Sequence, residues 1–304
     1  MAIQLETFRK TPIYQGSATV ASILSELNEL AEIGEAAKFK ADKYKKQGQY
    51  YILGIVLSII SMILVLITIP SNSGFALGDF RFILLLLASI FFIVACIRAF
   101  DKANEYQQLN VTNKLRTRLI KDILKMLGRD MDSSTNVDVY LSFKPIPIKD
   151  NLVGTVPHPA KEGWEIDNFQ HQWLKIKGQF LDKTRFGLFA TGLSKTQYGR
   201  KLGRRGKIKY KSKTKAAGLD VTLSLTYPQR RYGAIKILKD EVNGAIQLPN
   251  FCRLRGLRVT DKAINLTVRI EPNMADNQQD VYKTITMMFL SMYQVLNLAK
   301  VLSK

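Results

Sequence analysis

Cysteine and histidine are nearly absent from this chain, with two residues of each among 304. Cys96 and Cys252 provide no disulfide framework, as expected for a cytoplasmic domain. They form no cluster with His158 or His171 that has the spacing of a metal site. The G-x-S-x-G and HExxH signatures are also missing, and the run GRKLGRRGK fails the P-loop spacing. We therefore expect a protein that is not an enzyme and that needs no cofactor or metal.

Three of these four residues lie in the second half of the chain, and each has a structural interpretation. Cys252 precedes Arg253, which could lower its thiol pKa, but we favour a buried structural thiol. We interpret His158 and His171 as loop residues rather than catalysts.

Charge is missing from a long segment, because no charged residue occurs between Gln47 and Gly78. The first apolar span, Tyr50–Ile69, has 20 residues, and as a helix it would rise about 30 Å, the thickness of a bilayer core. The second span, residues 81–98, has an apolar stretch of sixteen residues with Arg81 and Arg98 at its ends. Long arginine side chains can reach the headgroups from there. This pattern predicts a transmembrane hairpin at 49–99; the alternative is a pair of buried helices in a large soluble core.

The charges that flank the hairpin predict its orientation. Lysines precede the first span, basic residues follow the second, and the connecting loop 71–80 has neither lysine nor arginine. By the positive-inside rule, both termini are cytoplasmic and the protein lies in an inner or plasma-type membrane. Pro70 ends the first helix, and Ser71–Gly74 has the composition of a turn.

Amphipathic helices flank the hairpin on both sides. Ser17–Gln47, within an N-terminal helical region 1–48, places apolar residues at helical spacing and then becomes basic. Asp101–Gly128 continues as a helical stalk at 100–130. The two helices pack on each other or belong to an oligomer of such stalks. Small residues in the spans would allow close packing: Gly54, Ser58, Ser61, Ala88, Ser89 and Ala95.

The order amphipathic helix, span, short loop, span, amphipathic helix resembles the layout of SLATT-type two-transmembrane proteins over residues 17–128. This resemblance implies a membrane pore in a nucleotide-linked bacterial defence system. It rests on layout alone, so it assigns no role to any residue. The large domain that follows departs from that layout.

Residues 135–304 change to a pattern of strands and carry 29 basic and 13 acidic residues, within a net charge of +20 for the chain. Strands are predicted at 137–143, 173–180, 185–191, 207–215, 219–227, 253–260 and 264–270, with 150–168 as loop and Ala216–Gly218 as a turn. Val281–Leu302 is predicted to close the domain as a helix packed on a core. The fold class is therefore an α+β membrane protein, with a two-helix hairpin, flanking helices and a basic, β-rich cytoplasmic domain.

Ten basic residues and no acidic one occur between Lys195 and Lys215. Alternating lysines on one strand lie about 6.5–7 Å apart, close to the spacing of phosphates along a nucleic-acid strand. The predicted anion-binding residues are Lys195, Arg200, Lys201, Arg204, Arg205, Lys207, Lys209, Lys211, Lys213 and Lys215. Tyr198 and Tyr210 are candidates for stacking on bases. The alternatives are an edge strand protected from aggregation by lysine and contact with anionic headgroups.

We expect a membrane-tethered binding or scaffold module whose basic domain holds an anionic ligand: nucleic acid, a nucleotide or anionic lipid. The alternative is a homo-oligomeric pore that the cytoplasmic domain gates. No charge inside the spans marks an ion path, which favours the anchor.

Overall fold

A computed structural model describes residues 12–68, 76–109, 114–202, 206–238 and 242–303. The predicted turn Ser71–Gly74 and the end of the first span at Pro70 lie outside these residues. The main elements in chain order are β1 (Ile13–Thr19), α1 (Val20–Thr68), α2 (Ala76–Leu109), α3 (Lys114–Leu127), β2 (Asn136–Ser142), β3 (Leu152–Pro157), β4 (Trp164–Gln179), β5 (Arg185–Leu202) and β6 (Ile208–Thr226). They continue with α4 (Gln229–Tyr232), α5 (Ile235–Leu238), α6 (Val242–Ala245), β7 (Cys252–Val259), β8 (Ala263–Ile270), α7 (Pro272–Ala275) and α8 (Gln278–Leu302).

The chain divides into two compact units. The hairpin unit is Glu29–Thr112, and the sheet unit combines Met1–Asn28 with Asn113–Lys304. Mixed helix and sheet, together with apolar helices of membrane-spanning length, confirm the coarse fold class.

The strands of the sheet unit form one antiparallel sheet with the order β1-β2-β4-β5-β6-β8-β7. The additional strand β3 also pairs with β4, along a part of β4 that β2 does not contact. Strict alternation along β6 and β8 buries one side: Leu219, Val221, Leu223 and Leu225 face the core with Ile264, Leu266, Val268 and Ile270. The predicted hairpins 173–191 and 253–270 are confirmed by the β4–β5 and β7–β8 pairings.

Helices α8 and α3 supply the other half of this core. The predicted core residues of α8 are all buried, which confirms its interpretation as a packing helix: Val281, Ile285, Met288, Met292, Val295, Leu296 and Ala299. In α3, Leu119, Ile120, Ile123, Leu124 and Leu127 are buried. Gln278 Nε2 at the start of α8 donates to Asp122 Oδ2 of α3 at 2.7 Å.

Three segments of the sheet unit differ from the prediction. The expected helix from Ser17 begins only at Val20, because Ile13–Thr19 pairs with β2 and Ser17 Oγ lies 2.6 Å from Asp138 Oδ1. The expected loop 150–168 contains β3 and the first residues of β4. β3 pairs only with β4, and an edge position of this kind tolerates Gly154 and the terminal Pro157.

The third difference is the expected turn at Ala216–Gly218. β6 runs through it as one strand, with a bulge at Ala217 and Gly218 at φ +115°. A Cβ on Gly218 would lie 2.7 Å from the carbonyl oxygen of Ile270, so this position needs glycine both for its conformation and for close approach.

Within the hairpin unit, α1 and α2 pack through small residues and aromatic rings. Gly48 lies against the ring of Phe100 and Gly54 against the ring of Phe92, and the Ser58 and Ser89 hydroxyls are 2.9 Å apart. Gly54, Ser58 and Ser89 thus allow the close packing that was predicted. Ser61 instead donates to the Leu57 carbonyl inside its own helix.

Polar side chains continue this contact beyond the apolar segment. Tyr44 of α1 stacks on Tyr106 of α2, with ring centroids 5.7 Å apart and planes 6° apart. Lys40 Nζ and Lys102 Nζ each lie 5.5 Å from the centroid of the tyrosine on the other helix. These cation–π contacts show that α1 and α2 pack on each other next to the spans. The remainder of the predicted stalk, α3, belongs instead to the sheet unit, where it contacts α8.

Three helical segments of the described chain are long and apolar enough to cross a membrane: Val20–Leu64, Ile83–Gln107 and Gln278–Leu302. In the most apolar part of each segment, only 11% and 6% of the residues are buried for the first two segments, against 44% for the third. The third segment buries its apolar side on the sheet, as its core residues show. The first two expose leucine, isoleucine and phenylalanine side chains, as expected of helices that face lipid.

We expect Ser58→Cys and Ser89→Cys to form an intramolecular disulfide on mild oxidation in membranes, because their hydroxyls already touch. The chain would first carry Cys96→Ala and Cys252→Ala, and loss of thiol labelling by a maleimide reagent would report the bond.

Leu57→Cys with Leu87→Cys is the matched control pair. Both leucines are 56% exposed and therefore lie outside the interface between α1 and α2. Equal protection of both pairs, or labelling of both thiols in the Ser58–Ser89 pair, would contradict the packing.

Candidate anion-binding surface

The sheet extends beyond its helix-covered part as a four-stranded arm. It consists of β3, residues 164–170 of β4, 194–202 of β5 and 208–216 of β6. β8 pairs with β6 only from Leu219 to Thr226, so β6 is the edge strand of the arm. Most arm side chains are exposed or half-buried, and every residue of β6 from 208 to 216 is exposed.

Strand register sets which side chains share a face of the arm. Lys195 pairs with Lys215 and Lys201 with Lys209, while Gln197 and Gly199 pair with Lys213 and Lys211. Directly paired residues project from the same face of a sheet. Six lysines therefore form two neighbouring rows, here called the lysine face: Lys195, Lys201, Lys209, Lys211, Lys213 and Lys215.

No carboxylate shares the lysine face within the paired residues of the arm. The β4 residues on that side are Trp164, Ile166, Asn168 and Gln170. Within the described part of the chain, none of the six lysines makes an ion pair. Like charges this close repel one another unless an anion relieves them, so the bare rows favour an anionic ligand.

The opposite face of the arm carries its acids and tyrosines. Tyr198 donates from its hydroxyl to Glu165 Oε2 at 2.7 Å and also lies 3.2 Å from Asp167 Oδ1. The Glu165 hydrogen bond is the main cause that raises the pKa of Tyr198 above its usual value. Tyr210 lies beside Tyr198, with ring centroids 6.1 Å apart.

The structure thus separates the predicted site residues. Six of the predicted lysines come together, and Lys207 is exposed just before β6. Arg200 pairs with Tyr210 and lies on the opposite face with the two tyrosines predicted to stack on bases. Arg204 and Arg205 lie outside the described residues.

Trp164 is the residue of this surface that the sequence analysis missed. It pairs with Gly199 on the lysine face, and its Nε1 donates to the Arg200 carbonyl at 3.2 Å. A Cβ on Gly199 would lie 2.5 Å from Trp164 Cγ, so the glycine lets the indole lie directly on the backbone of β5. The available signal was the lone glycine between Tyr198 and Arg200.

A small cavity at the base of the arm holds an arginine that is already engaged. The cavity is about 110 Å³ and is lined by Arg116, Trp173 and Asp276 among others. The Arg116 guanidinium lies 5.0 Å from the Trp173 ring centroid and donates to the Ser142 carbonyl at 2.9 Å. Burial lowers the pKa of Arg116, because the charged guanidinium has lost part of its hydration.

The contacts of Cys252 in the sheet unit are those of a structural residue. Cys252 Sγ lies 3.3 Å from Thr284 Oγ1, and burial raises the pKa of its thiol, which supports the structural interpretation. Among the described residues there is no cluster of histidine, cysteine or carboxylates that could hold a metal ion.

His171 is a buried strand residue, so its interpretation as a loop residue is wrong, whereas His158 does lie in a loop. His171 Nε2 lies 2.9 Å from Ser142 Oγ, and Nδ1 lies 3.2 Å from Asn151 Oδ1. Burial lowers its pKa, with smaller contributions from Arg116 and Lys144.

No family model, curated protein or solved structure matches the chain. The function therefore has to be argued from the geometry of its surfaces.

We expect thermal stability to fall as the pH drops below about 6.5. The unfolded chain then binds a proton at His171 that the folded chain, with its lowered pKa, does not bind. His171→Gln should reduce the difference in melting temperature between about pH 5.5 and about pH 7.5, measured by circular dichroism.

His158→Gln is the control, because His158 lies in a loop and its side-chain Nδ1 accepts a hydrogen bond from the backbone N–H of Ala160. A pH dependence that is the same in His171→Gln, His158→Gln and the unmodified chain would contradict the assignment.

Proposed function

We propose that this protein is a membrane-anchored binding module whose lysine face holds an extended polyanion. The observation that carries the proposal is the pair of lysine rows without a carboxylate on their side of the arm. The lysines and arginines that flank the hairpin support a cytoplasmic location for both of its ends and for the sheet unit.

The spacing of the rows suits a chain of phosphates. Lysines at alternate positions of β6 lie about 6.5–7 Å apart, and the β5 row runs about 4.8 Å beside them. A ligand that lies along the strands can therefore meet several ammonium groups in succession. A single small anion would meet only one or two of them.

Protection of an edge strand is the simplest competing explanation. Lysine on an exposed edge prevents pairing with other chains, and β6 is the edge strand of the arm. This explanation needs lysines on β6 alone. Lys195 lies on β5 where that strand pairs with β4 on one side and β6 on the other, so it adds charge where no edge needs protection.

The hairpin is better suited to anchoring than to lining a pore. Its hydroxyls at Ser58 and Ser89 are turned toward each other, and Cys96 Sγ lies 3.8 Å from the Gly48 carbonyl oxygen. Between Ile52 and Leu64 and between Ile83 and Ile97, the exposed side chains are all apolar. A pore in an oligomer would need a polar lining.

We expect replacement of Lys209, Lys211, Lys213 and Lys215 by glutamine to weaken polyanion binding. The full chain would be tested in nanodiscs of zwitterionic lipid by fluorescence anisotropy with a labelled single-stranded oligonucleotide. If each lysine neutralises one phosphate, the slope of log affinity against log salt should shrink by about 3.

The matched control removes four exposed charges elsewhere on the sheet unit: Arg255→Gln, Arg258→Gln, Lys262→Gln and Lys283→Gln. It should leave most of the affinity and of the slope intact. Equal losses in the two variants would show that only net charge matters and would contradict a site on the arm.

A further inference from the structure

Among the described residues of the arm, Trp164 is the aromatic side chain that shares a face with the lysine rows. The chain has two tryptophans, and the other, Trp173, is 5% exposed in the sheet unit beneath Arg116. Trp164 is half-buried and lies on β4, beside the β5 row of lysines. It is therefore placed to contact whatever the lysines bind.

One side of the Trp164 ring is fixed by the fold. The ring packs on Gly199, where no side chain intervenes, and its Nε1–H bonds to the Arg200 carbonyl oxygen. An indole with its polar atom satisfied and one side supported presents a rigid platform. Ordering it costs a ligand little conformational entropy.

A lysine side chain lies over the Trp164 ring. Lys161 Nζ lies 4.5 Å from the ring centroid, and Lys161 is itself exposed in the loop before β4. A long, exposed lysine side chain is easily displaced and can pair with a phosphate once it moves. The Lys161–Trp164 contact thus occupies the ring in the absence of a ligand and adds a seventh cation beside the lysine face.

We propose that the polyanion bound by the lysine face is single-stranded nucleic acid, with one base stacked on Trp164 in place of Lys161. The inference rests on the proposed function and adds the chemical class of the ligand. Trp164 pairs with Gly199 of β5, and Gly199 pairs with Lys211 of β6, so Lys211 lies two strand spacings, about 10 Å, from Trp164. One nucleotide spans such distances between its base and its phosphate.

The ring distinguishes single-stranded nucleic acid from other polyanions. Anionic headgroups and polyphosphate have no planar ring to stack on an indole. Bases of a duplex are already stacked on one another and do not present a free face to the protein. Unpaired bases do, and stacking on an aromatic side chain tolerates any base, so we expect little sequence preference.

The test combines intrinsic tryptophan fluorescence with binding affinity, using the full chain in nanodiscs of zwitterionic lipid. The probes are oligothymidylate, a duplex of equal length, inorganic polyphosphate and vesicles that contain phosphatidylserine. Oligothymidylate should quench the fluorescence of the unmodified chain. Trp164→Phe, which keeps Trp173 as the remaining emitter, should abolish this quenching.

Affinity provides the second reading. Trp164→Ala should bind oligothymidylate about tenfold more weakly, since one stacked base is lost, and Trp164→Phe should recover part of that loss. Polyphosphate should bind all three chains equally, which also verifies that the arm remains folded in the variants. The unmodified chain should prefer oligothymidylate to the duplex.

The remaining outcomes separate the two proposals. Binding of oligothymidylate without quenching, and with equal affinity in Trp164→Ala, would overturn the stacking inference while the lysine face stands as the site. Binding of vesicles alone would identify anionic lipid as the ligand and overturn the inference. If none of the four probes binds, the proposed function fails together with it.

Discussion

Register between β5 and β6 is the constraint on which both the fold and the candidate site depend. In the helix-covered part of the sheet, Leu188 pairs with Leu223 and Ala190 with Val221, and all four are fully buried. A slip of one residue would turn every one of these side chains toward the other face. The buried part of the β5–β6 pair therefore fixes the register of its exposed part in the arm.

This coupling extends into the arm through an asymmetric bulge. Leu193 pairs with Gly218 and Ser194 with Ala216, so the unpaired residue of the bulge is Ala217 on β6. The side chains of β5 therefore alternate between the two faces without interruption from the helix-covered part of the sheet into the arm. Lys195 and Lys201 consequently lie on the same face as Phe189 and Thr191, opposite the helix-covered core. The lysines are held together by hydrophobic burial elsewhere on the same strands, which offsets their mutual repulsion.

The hairpin unit is built on a different balance. Apolar side chains cover the outer surface of its spans, and the close contacts between α1 and α2 use glycines against phenylalanine rings, paired serines and stacked tyrosines. Such contacts are typical of helices that meet in lipid, where burying apolar surface between helices gives no advantage.

Much of this architecture could be predicted from periodicity. The two spans, the alternation of Leu219–Tyr227 and the apolar side of the last helix follow from spacing alone. β1 could not be found this way, because Ile13–Thr19 is short and depends on its pairing with β2. Gly218 was misleading, since a glycine with positive φ serves equally in a turn and in a bulge.

The candidate site was predictable only in part. Alternating lysines at 207–215 reveal one strand face directly. The mixed run from Lys195 to Lys201 does not show which of its cations join that face, because the answer depends on register with β6. Trp164 could not be assigned to this face for the same reason, because its position depends on pairing with Gly199, which is 35 residues away along the chain.

Lysine footprinting tests the central claim most directly. The full chain would be acetylated with and without a saturating oligonucleotide, and the extent of modification at each lysine would be read by mass spectrometry. We expect Lys195, Lys201, Lys209, Lys211, Lys213 and Lys215 to be protected, while Lys177, Lys262 and Lys283 react as before. Protection spread evenly over all lysines, or confined to those outside the arm, would contradict the account.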